Sequence, residues 1–182
     1  MLVIDEFMPA SMSERLYAFL QHMPAFGWHV VVNDSPSYRF RRLRRNHYAF
    51  CQCAVCAGFS WLASHEVREG LAAIIGGRTA TPLEMFASWY APGDFLEPHT
   101  DAANGDVAFA LSLTKDWRLD FGGLLHLLPE DRPGTECVVL PTFNRMVAFE
   151  VAESRTPHFV SRVLTSATTR RLMISGWYRI HS

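Results

Sequence analysis

Residues 89–101 read Trp-Tyr-Ala-Pro-Gly-Asp-Phe-Leu-Glu-Pro-His-Thr-Asp, and the interpretation of the chain starts from this stretch. Its last three residues are His99, Thr100 and Asp101. Residues i and i+2 of an extended strand project from the same face, so the imidazole of His99 and the carboxylate of Asp101 are predicted to converge. An imidazole and a carboxylate on one face can supply two ligands to a metal ion.

A third ligand has to come from a later part of the chain. Two histidines and one carboxylate form the facial triad of non-haem Fe(II) sites, which leaves three coordination positions open. His158 is the best placed histidine, because it precedes the run Phe-Val-Ser-Arg-Val-Leu and a further strand that carries Arg171. The sequence therefore predicts an Fe(II) site of His99, Asp101 and His158, with both imidazoles neutral and the carboxylate anionic.

Short apolar runs separated by turn residues fill the second half of the chain. Seven segments have the composition and spacing of strands in a sandwich or jelly roll. They are residues 83–90, 107–113, 123–128, 137–140, 146–151, 158–163 and 171–180. No helical pattern separates them, so we expect a mainly β fold, a jelly-roll barrel with flanking helices.

The first half of the chain shows the periodicity of two amphipathic helices. The first helix is predicted over residues 11–23, where Ser11 and Glu14 have the spacing of a capping box and Pro24 ends the pattern. The second is predicted over residues 60–75, with Gly76-Gly77 as its C-cap. Both are expected to pack on one sheet. Residues 2–4 and 28–32 are predicted strands, and residues 33–37 a turn.

The 182 residues are predicted to form one domain, in which residues 1–78 support a jelly-roll core made by residues 79–182. A hydrophobic fraction of 49% with 13% aromatic residues is typical of a globular chain. The net charge of −1 gives no reason to expect nucleic acid or a membrane surface as a partner. We find no signal peptide and no apolar run of membrane-spanning length, so a cytoplasmic location is expected.

Several motifs occur in a fixed order around the predicted metal ligands. They are Gly-Asp-Phe-Leu-x-x-His-x-Asp at residues 93–101, Trp117 followed by Gly122-Gly123, Phe-Asn-Arg at residues 143–145 before Phe149, His158 with Val160, and Arg-Leu-x-Ile-Ser-Gly-Trp-Tyr at residues 171–178. In this combination the sequence resembles the prolyl-4-hydroxylase-like 2-oxoglutarate and iron(II)-dependent dioxygenases, most closely the branch that hydroxylates a proline of a ribosomal protein. One departure is Ser112, which stands where this branch has a tyrosine lining the cosubstrate site.

The resemblance implies a double-stranded β-helix with the metal near one open mouth. It also implies Fe(II), 2-oxoglutarate and O2, with ascorbate in support, and hydroxylation of an unactivated C–H bond coupled to decarboxylation of 2-oxoglutarate to succinate and CO2. The 1-carboxylate and keto oxygen of 2-oxoglutarate would take two iron positions, and O2 the third. The substrate implied is a prolyl residue of a protein, with a free amino acid or small metabolite as the alternative.

The distal carboxylate of 2-oxoglutarate needs a buried cation, and Arg171 is the candidate. The family places its arginine six residues before the tryptophan, and strand parity puts Arg171, Ser175 and Trp177 on one face. Ser175 would then offer a hydroxyl donor, and Tyr90, on the strand leading to the metal ligands, is a third candidate contact. Arg170 is expected to point outward.

Two clusters lie outside the predicted metal site. A dense run of arginines occupies residues 39–45, and we interpret it as solvated side chains that pair with local carboxylates rather than as a nucleic-acid patch. Cys51, Cys53 and Cys56 fall within six residues. We interpret them as reduced thiols, with a structural zinc site completed by His47 or His65, or redox chemistry, as the alternatives.

The other conspicuous residues have structural interpretations. His65 and His126 are expected to be core or surface histidines rather than ligands. Trp117 and Trp177 are expected to be core aromatic residues that also form part of the wall of the site. Gly122-Gly123 predicts a bulge or tight bend.

Two other classes of protein remain open. A non-catalytic barrel that binds a ligand or a structural metal would keep the core pattern, but it would not need His99, Asp101, His158 and Arg171 together. A zinc hydrolase could use the same histidines and aspartate with a water molecule, but it would have no use for a buried arginine beyond the last ligand.

Overall fold

The computed structural model describes residues 1–44, 51–73, 76–128, 134, 136–152 and 156–181. Within these residues the α-helices are α1 (Ala10–His22), α2 (Ala54–Leu62) and α3 (His65–Ala72). The strands are β1 (Leu2–Ile4), β2 (Trp28–Asp34), β3 (Ser37–Leu43), β4 (Thr79–Tyr90), β5 (Phe95–His99), β6 (Val107–Ser112), β7 (Leu125–Leu127), β8 (Cys137–Val139), β9 (Arg145–Glu150), β10 (His158–Val160) and β11 (Arg171–His181).

The strands form one antiparallel sheet that curls on itself. Their order is β1-β9-β6-β11-β4-β3-β5-β10-β7-β8, with β2 also paired to β3. Strands β9 and β10 are far apart in this order, yet the rings of Phe149 on β9 and His158 on β10 have centroids 4.8 Å apart. The two halves of the sheet therefore enclose a common interior.

Strand β3 joins the two halves. Tyr38 near its start pairs with Leu96 of β5, and Arg41 further on pairs with Trp89 of β4. Strands β4 and β5 are consecutive in the chain but are separated in the sheet by β3. The turn at residues 91–94 thus carries the chain from one half of the curl to the other.

Asp94 anchors this turn from the inside. Its side chain is 1% exposed, and its carboxylate accepts a hydrogen bond from the backbone N–H of Ala91 at 2.9 Å. The same carboxylate pairs with Arg41 and, at 3.3 Å, with Arg39. A buried carboxylate needs such compensation, and here the compensation links the turn to β3.

The arginine run of residues 39–45 lies mostly on β3. In addition to the two pairs with Asp94, Arg42 pairs with Glu84 of β4. The predicted pairing with local carboxylates is confirmed for Arg39, Arg41 and Arg42. Arg45, which ends the run, lies outside the described residues.

Alternate residues of β11 face two different environments, as expected of a strand with helices on one side. Leu172 and Ile174 are fully buried in a core shared with Leu16 and Leu20 of α1 and with Leu62 of α2. The alternate residues Arg171, Met173 and Ser175 face the interior of the curl. The helices therefore cover the outer face of the sheet, and the inner face remains available for a site.

The first helix differs from the prediction at its start. It begins at Ala10, its N-cap residue is Pro9, and no side chain caps it. The predicted capping box of Ser11 and Glu14 is therefore wrong. Proline is compatible with a helix start because the first N–H groups have no intrahelical partner.

The predicted second helix over residues 60–75 is two helices, and that prediction is wrong in both extent and number. Helix α2 begins at Ala54 and ends at Leu62, and α3 begins at His65 after the N-cap residue Ser64. Ile74 and Ile75 of the predicted helix lie outside the described residues. None of the described helices has the length and apolar composition of a membrane span.

All seven strands predicted in the second half of the chain are confirmed, with ends that differ by a few residues. Strands β1 and β2 are also confirmed. The predicted turn at residues 33–37 is shorter than expected, because Asn33 and Asp34 continue β2 and Ser37 begins β3. Strands β1, β2 and β3 come from residues 1–78 and are part of the sheet itself.

Candidate active site

Two histidines face each other on neighbouring strands of the inner surface. The antiparallel register of β10 and β5 places His158 directly opposite His99. Their ring centroids are 4.3 Å apart. Residues opposite each other in antiparallel strands have Cβ atoms about 5 Å apart, so the register itself brings the two rings together.

Backbone carbonyls set the tautomer of both rings. The Nδ1 atom of His99 lies 3.0 Å from the carbonyl oxygen of Glu97, and Nδ1 of His158 lies 3.1 Å from that of Thr156. A carbonyl oxygen can only accept, so each Nδ1 carries the proton and donates it. The unprotonated Nε2 atoms are then available as metal ligands.

Asp101 lies between the two Nε2 atoms. One carboxylate oxygen is 3.6 Å from Nε2 of His99, and the other is 3.3 Å from Nε2 of His158. Two hydrogen-bond donors hold this carboxylate, the side-chain amide of Asn104 at 2.9 Å and the indole N–H of Trp177 at 3.0 Å. The ligand atoms of His99, Asp101 and His158 all lie within 4.8 Å of one another, a spacing that suits a single metal ion.

The electrostatics of this trio favour a cationic ligand. Burial opposes the ionisation of Asp101, but the hydrogen bond and charge of His158, together with the charge of His99, lower the pKa of Asp101 below its usual value. Burial and the neighbouring His158 lower the pKa of His99 below its usual value. At neutral pH the site therefore combines an anionic carboxylate with a neutral His99 imidazole.

The convergence of His99 and Asp101 was predicted from strand alternation, and the structure shows a different cause. His99 is the last residue of β5, and Asp101 lies just beyond the strand. The hydrogen bonds from Asn104 and Trp177 hold the carboxylate in place. A bond from a residue 76 positions away cannot be read from local spacing.

Arg171 is a buried cation at the start of β11, with 3% of its surface exposed. Its Nε donates to the carbonyl oxygen of Gly123 at 2.5 Å, and its guanidinium carbon lies 4.7 Å from the ring centroid of Tyr90. Among the described residues, no carboxylate pairs with it. Burial lowers the pKa of Arg171 to about 10, which leaves the guanidinium charged at neutral pH. A buried charge without a counter-ion favours an anionic ligand.

Tyr90 lies opposite Arg171 in the register of β4 and β11. Its ring is stacked on Phe40 of β3, with centroids 5.3 Å apart. Burial raises the pKa of Tyr90 to about 12, so its hydroxyl stays neutral and able to donate a hydrogen bond. As predicted, Tyr90 lies on the strand that precedes His99 in the chain: it is the last residue of β4, and the turn at residues 91–94 leads from there to β5.

A cavity of about 410 Å³ occupies the interior of the curl, within the size range of small-molecule sites. All six residues predicted for the site line it. They are Tyr90, His99, Asp101, His158, Arg171 and Ser175. The structure thus brings the candidate metal ligands and the candidate cosubstrate contacts to one space.

Other lining residues were not predicted as site residues. Tyr38 and Phe40 of β3 line the cavity, and their alternation along β3 is the signal that could have identified them. Phe149 also lines it, with its ring edge-on to His158. Trp177, predicted as a core aromatic with some wall function, lines the cavity, and its indole N–H donates to the candidate metal ligand Asp101.

Arg170 points outward, away from Arg171, as predicted, and there it contacts the end of α1. Its Nη1 donates to the carbonyl oxygens of Leu20 at 3.3 Å and Met23 at 3.0 Å, at the end of α1. Its guanidinium carbon also lies 4.4 Å from the ring centroid of Trp89. Carbonyls at a helix C-terminus lack intrahelical donors, and a cation there is favourable.

The remaining predicted residues have structural contacts. His65 pairs with Glu69 on the surface of α3, and His126 pairs with Glu136. Gly122 and Gly123 both have positive φ, at 65° and 64°, as expected of a tight bend. The bend directs the carbonyl of Gly123 towards Arg171.

The comparison with family models identifies this architecture. The model of the 2OG-Fe(II) oxygenase superfamily matches residues 85–179, which include both candidate histidines, Asp101 and Arg171. The chain belongs to this superfamily. A search of curated protein sequences found no match to this oxygenase.

Solved structures of similar fold agree with the family. A prolyl-4-hydroxylase from Pseudomonas putida has a TM-score of 0.72 and 20% identity over 100% of this chain and 92% of its own. A prolyl hydroxylase from Trichoplax adhaerens, in complex with a hypoxia inducible factor peptide fragment, has a TM-score of 0.70 and 19% identity over 98% of this chain and 83% of its own. A 2OG-Fe(II) oxygenase family oxidoreductase from Burkholderia pseudomallei has a TM-score of 0.74 and 15% identity over 100% of this chain and 85% of its own. At these identities the likeness shows the fold alone, and it confirms the predicted double-stranded β-helix.

This oxygenase is an oxidoreductase whose family uses Fe(II), 2-oxoglutarate and O2. Its own residues fit these requirements. The trio of His99, Asp101 and His158 has the donor set and spacing for Fe(II), and Arg171 is a buried cation suited to a carboxylate.

Proposed function

We propose that this oxygenase hydroxylates an unactivated C–H bond, with His99, Asp101 and His158 as the iron ligands. In the overall reaction, substrate, O2 and 2-oxoglutarate give the alcohol, succinate and CO2, with one oxygen atom entering the alcohol and one entering succinate. Bound Fe(II) supplies the activation of O2. The residues of the chain hold the metal, orient the cosubstrate and exclude water from the cavity.

The position of Arg171 is the observation that carries this proposal. Its charge is buried without a described carboxylate partner, and it lines the same cavity as the histidine and aspartate trio. A dicarboxylate that bound the metal at one end could place its other carboxylate on the guanidinium. Two parallel donors of arginine match a carboxylate, at about 1.5–3 kcal/mol for each charged hydrogen bond. We assign Tyr90 and Ser175, on the same cavity wall, as further contacts of 2-oxoglutarate.

For the substrate, we propose a prolyl residue within a peptide segment, and within that class a proline of a ribosomal protein. The two prolyl hydroxylases of similar fold support the broader class, and one of them is described with a peptide bound. The cavity also extends outwards to Asn33 near the end of β2 and to Pro36 in the β2–β3 connection, both of which are exposed. An extended substrate could lie along these residues, whereas a free amino acid would need only the inner part of the cavity.

The assignment of the metal ligands is tested by single substitutions. His99→Ala, Asp101→Ala and His158→Ala should each lose stoichiometric Fe(II) and the decarboxylation of 2-oxoglutarate, while the circular dichroism spectrum stays native. His126→Ala is the matched control, because His126 lies on β7 next to β10 but does not line the cavity. Full iron content and turnover in His158→Ala would refute the assignment.

The substrate class is tested by mass spectrometry. Lysate proteins and metabolites are compared after incubation with the native enzyme and with His158→Ala, and species that gain one oxygen atom are identified. A hydroxyproline in a peptide supports the proposal, and a ribosomal protein as its source supports the narrower class. Oxygen gained only by a free amino acid or metabolite would exclude a peptide substrate.

A further inference from the structure

The proposed dioxygenase function assigns no role to one cluster of chemically reactive side chains. Cys51, Cys53 and Cys56 place their Sγ atoms within 4.8 Å of one another. Cys53 is the N-cap residue of α2, and Cys56 lies in the first turn of that helix. All four cysteines are in the described part of the chain, and none of them forms a disulfide bond. The sequence favoured plain thiols, and the convergence of three sulfur atoms favours the zinc alternative.

The spacing of the sulfur atoms suits a tetrahedral metal ion. Zinc–thiolate bonds of about 2.3 Å place two sulfur ligands of a tetrahedral ion about 3.8 Å apart. The three sulfur atoms lie within 4.8 Å of one another, so they are at most about 1 Å further apart than in a zinc site. Rotation about the Cα–Cβ bonds can remove this difference. A disulfide would use two of these sulfur atoms and leave the third without a role, whereas a metal ion uses all three.

The position of the cluster on α2 also favours thiolate ligands. The first N–H groups of a helix are unpaired, and the helix dipole stabilises negative charge at this end. Both effects favour thiolates, which are the form of cysteine that binds metals. Burial and the neighbouring thiols of Cys51 and Cys53 act in the opposite direction and raise the pKa of Cys56 to about 12, so a bound cation is what would hold the three sulfur atoms as thiolates. The helix has nine residues, and Cys53 and Cys56 are three positions apart at its start.

The rest of α2 is firmly attached to the fold, so two of the three sulfur atoms have a rigid support. Val55 is 1% exposed in the core shared with α1 and β11. At the other end of the helix, the carbonyl oxygen of Leu62 accepts a hydrogen bond of 2.8 Å from the hydroxyl of Tyr178. Cys51 precedes the helix, so a bound ion would link the incoming chain to this support.

We propose that Cys51, Cys53 and Cys56 bind one Zn²⁺ ion as thiolates, in a structural site separate from the iron centre. Binding replaces three S–H bonds by three Zn–S bonds and releases three protons to solvent. Among the described histidines, His65 is not part of this cluster, because it pairs with Glu69 on α3. His47, the other histidine considered as a fourth ligand, lies outside the described residues. Soft thiolates select Zn²⁺ over the hard cations that carboxylates prefer.

The test begins with the metal content of native protein purified without chelators from zinc-containing medium. Elemental analysis should find one zinc per chain, and Cys53→Ser and Cys56→Ser should lose it. Cys137→Ser is the matched control and should keep it, because Cys137 lies on β8 outside the cluster. His99→Ala should also keep the zinc while losing iron, which separates the two metal sites.

Cobalt provides a second readout that depends on sulfur. Co²⁺ reconstituted into the native protein should show thiolate-to-cobalt charge transfer in the near ultraviolet, since the proposed iron ligands contain no sulfur. If the serine variants do not fold, an organomercurial titration of the native protein still tests the site, with three thiols expected to react for each zinc released. Native protein without zinc and without the cobalt band would overturn the proposal. So would zinc retained in Cys56→Ser, or a disulfide within the cluster in the purified protein.

Discussion

Replacement of Arg171 by methionine should have opposite effects on stability and on 2-oxoglutarate binding. Burial lowers the pKa of Arg171 to about 10, and the difference from the usual arginine value corresponds to about 3 kcal/mol against holding the charge inside the ligand-free protein. Methionine keeps much of the volume and removes the charge. The lost hydrogen bond to the carbonyl of Gly123 offsets about 1–2 kcal/mol of this gain. The free energy of unfolding of the ligand-free protein should therefore rise by about 1–2 kcal/mol.

The same substitution should weaken the cosubstrate strongly. If the guanidinium donates two charged hydrogen bonds to the distal carboxylate, their loss removes about 3–6 kcal/mol of binding free energy. At about 1.4 kcal/mol for each factor of ten, the dissociation constant should increase by about 100-fold or more. Arg171→Lys should recover only part of this affinity, because an ammonium group cannot present two parallel donors.

Urea unfolding without ligand measures the first effect, and calorimetric titration of 2-oxoglutarate into the Fe(II)-loaded protein without oxygen measures the second. Arg170→Met is the matched control, because Arg170 is the neighbouring arginine and bonds to the carbonyls of Leu20 and Met23 rather than lining the cavity. It should lower stability and leave 2-oxoglutarate affinity unchanged. Unchanged affinity in Arg171→Met would refute the assignment of this residue, and a loss confined to Arg170→Met would place the cosubstrate on the other face of β11.

Two further substitutions test the support of the site. Trp177→Phe removes the indole donor to Asp101 and should weaken Fe(II) binding by about 10-fold or more in an anaerobic metal titration. Trp117→Phe, whose indole donates to a backbone carbonyl instead, should not change it, and equal iron affinity in both variants would contradict the positioning role of Trp177. Asp94→Ala leaves the N–H of Ala91 and two partly exposed arginines of β3 without their carboxylate and should lower the free energy of unfolding by about 1–3 kcal/mol. Asp120→Ala removes an exposed ion pair and should have little effect, so similar urea midpoints for the two aspartate variants would argue against Asp94 as the anchor of the turn.

The sequence predicted well those parts of the fold that depend on the spacing of apolar and polar residues over a few positions. Side chains alternate along a strand, so the inward position of Arg171 and the opposite position of Arg170 followed from their order in β11. The seven strands of the second half followed from apolar runs bounded by turn residues. The helix break between α2 and α3 was missed, although Ser64 is a residue type that favours an N-cap. In that case the apolar periodicity continued across the break and concealed it.

The sequence by itself determined which residue types are present at the candidate site and, for Arg171 and Ser175 on β11, which face of the strand each one occupies, because both depend only on neighbouring positions. The tertiary structure decided what those faces meet. Only the folded structure shows that β3 lies between β4 and β5, that the indole of Trp177 holds Asp101, and that the outward-pointing Arg170 bonds to the end of α1. These contacts join residues far apart in the chain. Their register is set by the packing of the whole sheet, which no local pattern encodes.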